Sequence, residues 1–168
     1  MRKKVSILNN RSLIKISGTD SLIFLNNIIS SNLEKINNEE IFIATLLSPQ
    51  GKILFDFFIV KNDDYYLIEC SRNQIDALIN KLKLYSLRLN ITFEKENLDV
   101  IISNYFYKDK ITRKDIRFKN NEIYRHFVKP KNNIKNLNLK DWYDQLRFTN
   151  LCPEGELEIP SNKLYPFE

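Results

Sequence analysis

Two hydrophobic periods alternate along the chain and mark out its elements. Residues 12–17 alternate apolar and polar and predict a short strand. Gly18-Thr19-Asp20-Ser21 offers helix-capping side chains. Leu22, Leu25, Ile28 and Ile29 then recur at helical spacing, predicting a helix over 20–30. Residues 41–47 predict a strand by β-branched and aromatic content, Ser48-Pro49-Gln50-Gly51 a turn, and 53–60 a second strand, the most apolar segment of the chain. After a turn at 62–64, residues 65–70 predict a third strand, completing an antiparallel meander with short connections. Ser71 can cap the next helix, whose stripe is Ile75, Leu78, Ile79, Leu82 and Tyr85, and residues 90–95 return as a strand. This order predicts an α+β fold, an antiparallel sheet with helices packed on one face.

Beyond residue 97 the pattern weakens. Strands are predicted over 98–106 and 123–128, with weaker strand character at 115–118 and basic loops at 108–114 and 129–135. A short helix over 139–148 has Leu139, Trp142 and Leu146 as its apolar side. The last twenty residues hold Pro153, Pro160 and Pro166 and predict an extended, irregular tail. The chain therefore divides into an α+β subdomain, residues 1–97, and a β-rich subdomain with a short helix and tail, residues 98–168.

Composition narrows the function classes. The chain has 168 residues, 43% hydrophobic and 28% charged, which is ordinary for a globular protein. Its three glycines, Gly18, Gly51 and Gly155, cannot assemble a G-x-G-x-x-G or a P-loop, so neither glycine-rich phosphate cradle is present. One histidine and two distant cysteines without a C-x-x-C exclude a zinc finger and read as reduced thiols. The net charge is +5. Lysine outnumbers arginine 18 to eight, and the lysine, isoleucine and asparagine excess follows AT-rich codon usage. Arginine is the better reader of phosphates and bases, so direct nucleic-acid binding is not expected. The basic start is followed by an apolar run too short for a signal peptide, and no stretch approaches the ~20 apolar residues of a membrane span. No membrane association and a cytoplasmic location are expected.

Asp56 stands out chemically. In a strand it shares a face with Leu54, Phe58 and Val60, a carboxylate among apolar side chains. It is either a buried acid, base or ligand anchor, or an edge carboxylate paired with a lysine. Cys152 and Cys70 read as small apolar fillers and His126 as a hydrogen-bonded structural histidine. Trp142, Tyr143 and Phe148 read as core. Arg147 and Glu154 form a candidate charged pair flanking the turn into the tail; exposed, it would contribute ~0–1 kcal/mol, and on a pocket it would orient a polar ligand.

With these segments in view, the chain resembles the YgfZ-like folate-binding proteins, relatives of the glycine-cleavage aminomethyltransferase (T-protein) that include a mitochondrial iron–sulfur maturation factor. Leu13-Ile14-Lys15-Ile16-Ser17-Gly18-Thr19-Asp20 followed by Phe24-Leu25-Asn26 is similar to the family opening L-x-V-x-G-x-D-A-x-x-F-L-Q. Residues Ala44 to Phe57, A-T-L-L-S-P-Q-G-K-I-L-F-D-F, resemble A-x-L-L-T-P-Q-G-R-I-L-x-D-F, the most specific match. Leu82 to Arg88 resembles L-x-x-Y-x-L-R. Arg147, Pro153-Glu154-Gly155 and Pro166-Phe167-Glu168 resemble R-x-x-x-G-I-P-E-G and P-x-E.

The resemblance implies the aminomethyltransferase folate-binding fold. It implies tetrahydrofolate or a derivative as cofactor and Asp56, Gln50, Arg147 and Glu154 as binding residues, with Asp56 facing the folate hollow. It also implies iron–sulfur enzymes or assembly proteins as partners, and a role in iron–sulfur cluster assembly or repair and thereby in tRNA modification. No catalytic or metal-ligating residue is assigned. The family's K-G-C-[YF]-x-G-Q-E segment and C-terminal barrel have no counterpart in these 168 residues. The expectation is a truncated chain, or one whose remainder lies elsewhere, ending in an apolar tail that invites association. A binding accessory protein is therefore expected, the alternative being a tetrahydrofolate-dependent aminomethyltransferase.

Overall fold

A computed structural model of the chain describes residues 3–108, 111–130 and 140–166. Two antiparallel sheets pack face to face. The first has the order β3-β4-β5-β2-β6, built from β2 (Arg11–Ser17), β3 (Phe42–Leu47), β4 (Ile53–Lys61), β5 (Tyr65–Ser71) and β6 (Thr92–Glu96). The second has the order β1-β7-β9-β8, from β1 (Val5–Ile7), β7 (Asp99–Ser103), β8 (Ile111–Lys114) and β9 (Tyr124–Val128). The helices are α1 (Ser21–Ile28), α2 (Ile75–Tyr85) and α3 (Lys140–Thr149).

Strand alternation gives the first sheet two apolar faces. Ile14, Ile16, Phe57, Ile59 and Ile68 form one cluster with Phe24 and Leu25 of α1 and Leu78, Ile79 and Leu82 of α2. Leu13, Phe58, Val60 and Leu67 face the other way, against Val100 and Ile102 of β7, Phe127 of β9 and Tyr143 of α3. The expected α+β architecture, with α1 and α2 on one face of an antiparallel sheet, is present. The meander β3-β4-β5 pairs as read from the sequence, with Phe42 opposite Ile59 and Phe58 opposite Glu69.

Several local expectations are corrected. The run at Val5 is a strand, paired to β7 with Ile7 opposite Ile101. The weak strand expected at 115–118 is displaced. Residues 111–114, expected as part of a basic loop, form β8, whereas 115–118 make a turn. The cause is chemical: Asp115 accepts from the N–H of Arg117 and from its guanidinium, which closes a turn, while Thr112 turns its hydroxyl inward to His126 Nδ1 (2.8 Å). Residues 109–110 and 131–135 of the expected basic loops, Leu139 and Phe167-Glu168 lie outside the described residues.

On α1 the buried side is Ser21, Phe24 and Leu25, whereas Leu22 is 38% exposed. The Ser21 hydroxyl donates to the Gly18 carbonyl (2.7 Å) rather than capping an N–H, and Ser71 leads into a 3-10 turn at Arg72–Gln74 instead of capping α2. On α3 the fully buried positions are Tyr143 and Arg147; Trp142 and Leu146 are half-buried and Phe148 is 62% exposed. The tail is irregular as expected, but it runs as a series of turns and bends rather than extended.

Gly18 holds the entry of α1 against the segment before β6. Its φ is +123°, and a Cβ there would lie 2.0 Å from the Asn90 carbonyl oxygen. Gly18→Ala should therefore destabilise by about 2 kcal/mol or more, read as a lower urea midpoint at unchanged m-value.

Candidate functional site

Charged residues at inward positions of the strands meet at one end of the inter-sheet core. Arg11 of β2, Asp56 of β4 and Glu69 of β5 share the face that looks toward the second sheet, and Arg125 of β9 looks back at them. Arg11 Nε donates to Glu69 Oε1 (2.9 Å), and Arg125 donates to the same oxygen. Arg125 also donates to Asp115 Oδ2 (3.2 Å), to Glu154 Oε2 (2.7 Å) and to the Tyr143 hydroxyl. Arg117 donates to Glu154 Oε2 (3.0 Å), and Tyr143 donates to it as well (2.8 Å). Phe58 lies among the arginines, with the Arg125, Arg117 and Arg11 guanidinium carbons 4.0, 4.5 and 5.3 Å from its ring centre.

The tail is tied to this network. Arg147 donates to both carboxylate oxygens of Glu158 (2.7 and 2.8 Å) and to Asp144 (3.2 Å), and its Nε is 3.9 Å from Glu154. The Gly155 N–H donates to Asp56 Oδ2 (2.8 Å). Gly155 has φ +80°, and a Cβ on it would come 3.3 Å from Arg11 Nη1. A pocket of about 310 Å³ opens over the cluster, walled by Tyr143, Arg147, Glu154, Gly155, Phe148 and Leu157 among others. Asp56 lies one hydrogen bond behind that wall. It is 5% exposed, and its Oδ1 is buried with no hydrogen-bond partner.

The two carboxylates are driven in opposite directions. Burial pushes Asp56 above the usual range; the field of Arg11 and the Gly155 N–H only partly offset it. Burial acts the same way on Glu154, but Arg125, Arg11, Arg117 and Arg147 outweigh it and hold the group well below the usual range. Cys70 is a core thiol, pushed up to about 12 by burial. Cys152 is half-buried, also raised by burial, and packs against the inter-sheet cluster. His126 is fully buried between the Ser103 (2.7 Å) and Thr112 (2.8 Å) hydroxyls, the structural role read from the sequence.

Three of the four sequence-assigned residues thus come together: Asp56, Arg147 and Glu154. Gln50 does not; it is exposed in the β3–β4 turn, where its N–H donates to the Ser48 hydroxyl (3.2 Å). Arg147 and Glu154 are not an exposed pair, since each has its nearer partners elsewhere and both side chains are nearly buried. Asp56 faces the inter-sheet core but is roofed by Gly155 rather than open to a hollow. The sequence reading missed Arg11, Glu69, Asp115, Arg117, Arg125 and Glu158. Glu69 in the apolar run of β5 and Arg125 two residues before Phe127 carry the signal that identified Asp56, a charge at an inward strand position. Among the described residues no group of three or more His, Cys, Asp or Glu could hold a metal ion, and no helix is long and apolar enough to cross a membrane.

No protein-family model matches the chain. In sequence it is similar to proteins named iron-sulfur cluster assembly factor IBA57 homolog, mitochondrial. The one from Pyricularia oryzae is 32% identical over 88 residues, covering 50% of this chain and 22% of the relative. The one from Coccidioides immitis is 33% identical over 101 residues, covering 51% and 24%. The chain thus spans about a quarter or less of the length of the curated relatives it matches. In structure it is similar to the glycine cleavage system aminomethyltransferase T of Bartonella henselae, with a TM-score of 0.64 at 9% identity over 86% of this chain and 45% of that one. The resemblance to YgfZ-like proteins is supported on both sides, and the fold is that of the aminomethyltransferase.

Glu154→Gln should leave Arg125, Arg117 and Arg147 each with one carboxylate partner fewer and destabilise by about 3 kcal/mol, measured by urea unfolding at pH 7. Because the folded pKa of Glu154 is depressed, its contribution is present above the unfolded carboxylate pKa of about 4.3 and is lost as pH falls below it. Stability of the glutamine variant should accordingly fall less steeply between about pH 4.3 and 2 than that of wild type.

Proposed function

We propose that this chain is a folate-binding accessory protein acting in iron–sulfur cluster assembly or repair, and thereby in tRNA modification. The observation that carries the folate reading is Asp56 Oδ1, a buried acceptor without a partner in an aminomethyltransferase-like fold. The pterin ring of a folate presents an N–H and an amino group side by side, donors that one carboxylate can accept together. The residues present fit that group: Asp56 would take the pterin edge, and Arg147 and Glu154 would line the entrance. When bound, the folate would supply a one-carbon carrier. The Gly155 peptide stands between the pocket and Asp56, so ligand entry requires it to turn aside. In this reading residues 1–97 supply the carboxylate and residues 98–168 close over it. No role is proposed for Gln50.

The iron–sulfur reading is supported by the relatives, named as cluster assembly factors. Its partners would be iron–sulfur enzymes or assembly proteins. The free thiols Cys70 and Cys152 suit a reducing compartment, and the cytoplasm is proposed; the relatives are mitochondrial by name.

Titration calorimetry with 5-formyltetrahydrofolate should give binding to the wild-type chain, weakened by Asp56→Asn by ~1.5–3 kcal/mol, about tenfold or more. The same variant should melt no lower than wild type at pH 7. Burial raises the pKa of Asp56, so ionising this carboxyl costs stability, and a neutral amide loses nothing by lacking the charge. Equal affinity in the two proteins removes Asp56 from the site. Formation of methylenetetrahydrofolate from an aminomethylated carrier protein would instead favour the transferase.

A further inference from the structure

On the face of the first sheet opposite Asp56, six large apolar side chains stand exposed. Leu22 and Ile23 are on the first turn of α1; Leu84, Tyr85, Leu87 and Leu89 are at the end of α2 and just beyond it. Their exposure runs from 38% at Leu22 to 71% at Leu87. The two segments are fastened together. The Asn90 N–H donates to Asp20 Oδ2 (2.7 Å), its side-chain amide donates to the Thr19 hydroxyl (3.2 Å), and Gly18 makes room for its carbonyl. The tip is itself bonded: the Leu89 N–H donates to the Ser86 carbonyl and the Ile91 N–H to that of Leu89, both at 3.0 Å. Arg88 sits in the left-handed region at φ +72°, which a non-glycine residue seldom adopts. None of Leu84, Leu87 or Leu89 belongs to a core cluster, so the fold spends this constrained turn on holding leucines in solvent.

The patch is cationic as well as apolar. Lys83 and Arg88 are exposed and have no ion-pair partner among the described residues, and Lys81 lies over the Tyr85 ring at 5.1 Å. The neighbouring acid, Asp20, is engaged by Asn90. Exposed apolar side chains next to unpaired cations, displayed from a rigid turn, make a recognition surface for the opposite charge.

We propose that the surface formed by Leu84–Leu89 and the first turn of α1 docks an acidic protein segment that carries apolar side chains between carboxylates. Leu87 and Leu89 are the apolar anchors, and the Arg88 guanidinium pairs with a carboxylate between them. An anionic membrane suits the patch less well. It offers three cations where lipid-binding clusters use about four to eight, and a lipid surface has no need of a turn held at one shape. The proposal does not rest on the folate reading, since the two surfaces lie on opposite faces of the first sheet.

The test is an NMR titration of the isotopically labelled full chain with two synthetic helical peptides. Both carry the same leucines; one has glutamate and the other lysine at every polar position. Phosphatidylcholine–phosphatidylserine vesicles are titrated separately. The glutamate peptide should shift the amides of 84–90 and 22–23, weaken as salt is raised, and bind at least tenfold less tightly to Arg88→Glu and to Leu87→Ser. The lysine peptide should not bind. Both variants alter exposed side chains, and unchanged melting temperatures confirm that they fold. The proposal is overturned by equal binding of the two peptides, by no binding of the glutamate peptide, by shifts elsewhere, or by indifference to Arg88→Glu. Binding to vesicles without binding to the glutamate peptide assigns the surface to lipid and overturns it too.

Discussion

Glu154, its side chain only 7% exposed, meets three guanidiniums, and each comes from a different element. Arg125 reaches it from β9 (2.7 Å), Arg117 from the turn after β8 (3.0 Å) and Arg147 from α3 (3.9 Å), while Arg125 also binds Glu69 of the first sheet. One carboxylate thereby sets the mutual position of both sheets, the last helix and the tail. Removing such charges from water costs several kcal/mol per ion, and their attraction returns this only where the geometry is good. The net drive to fold comes instead from the two apolar clusters on either side of the first sheet. The ion network specifies how the second sheet and the tail sit on the first.

That arrangement accounts for the odd state of Asp56. The arginines of β2 and β9 are taken: Arg11 by Glu69, Arg125 by Glu69, Asp115 and Glu154. Asp56 is left with one backbone N–H, the field of Arg11 and an oxygen with nothing to accept. Two carboxylates on neighbouring segments are thus driven apart in acidity by their surroundings, a pattern that goes with polar-ligand or proton chemistry. The tail contributes to both, supplying Glu154 to the arginines and the Gly155 N–H to Asp56. Whatever loosens the tail uncovers the acid.

The first sheet separates two kinds of chemistry. Its inner face carries the charge network and the pocket; its outer face carries α1, α2 and the leucine–arginine tip. The tip follows from the same local device that starts α1, because Gly18 admits the Asn90 carbonyl where any side chain would exclude it. A position needed for close backbone approach therefore also fixes an exposed surface some seventy residues further along the chain.

Alternation and helical spacing made the meander and the α2 stripe legible in the sequence, because burial on one side of a strand or helix leaves a period in the residues themselves. Asp56 was legible for the same reason, as a break in that period. The 111–118 region was misread because its strand is short and its turn is set by the Asp115–Arg117 contact, which has no local apolar signature. Arg147 and Glu154 were found as residues but read as a pair, exposed or lining a pocket, since nothing in their spacing shows that β9 and the turn after β8 bring Arg125 and Arg117 to the same oxygen. The sequence by itself determined the strands of the first sheet and the helices α1 and α2, and which face of each is apolar, since these depend on neighbours within a few residues. The tertiary structure alone decided which buried charges neutralise one another, which carboxylate keeps a free oxygen, and that the tail roofs it. Those outcomes depend on distances between residues far apart in the chain, and charge pairing in a dry interior leaves no periodicity to read.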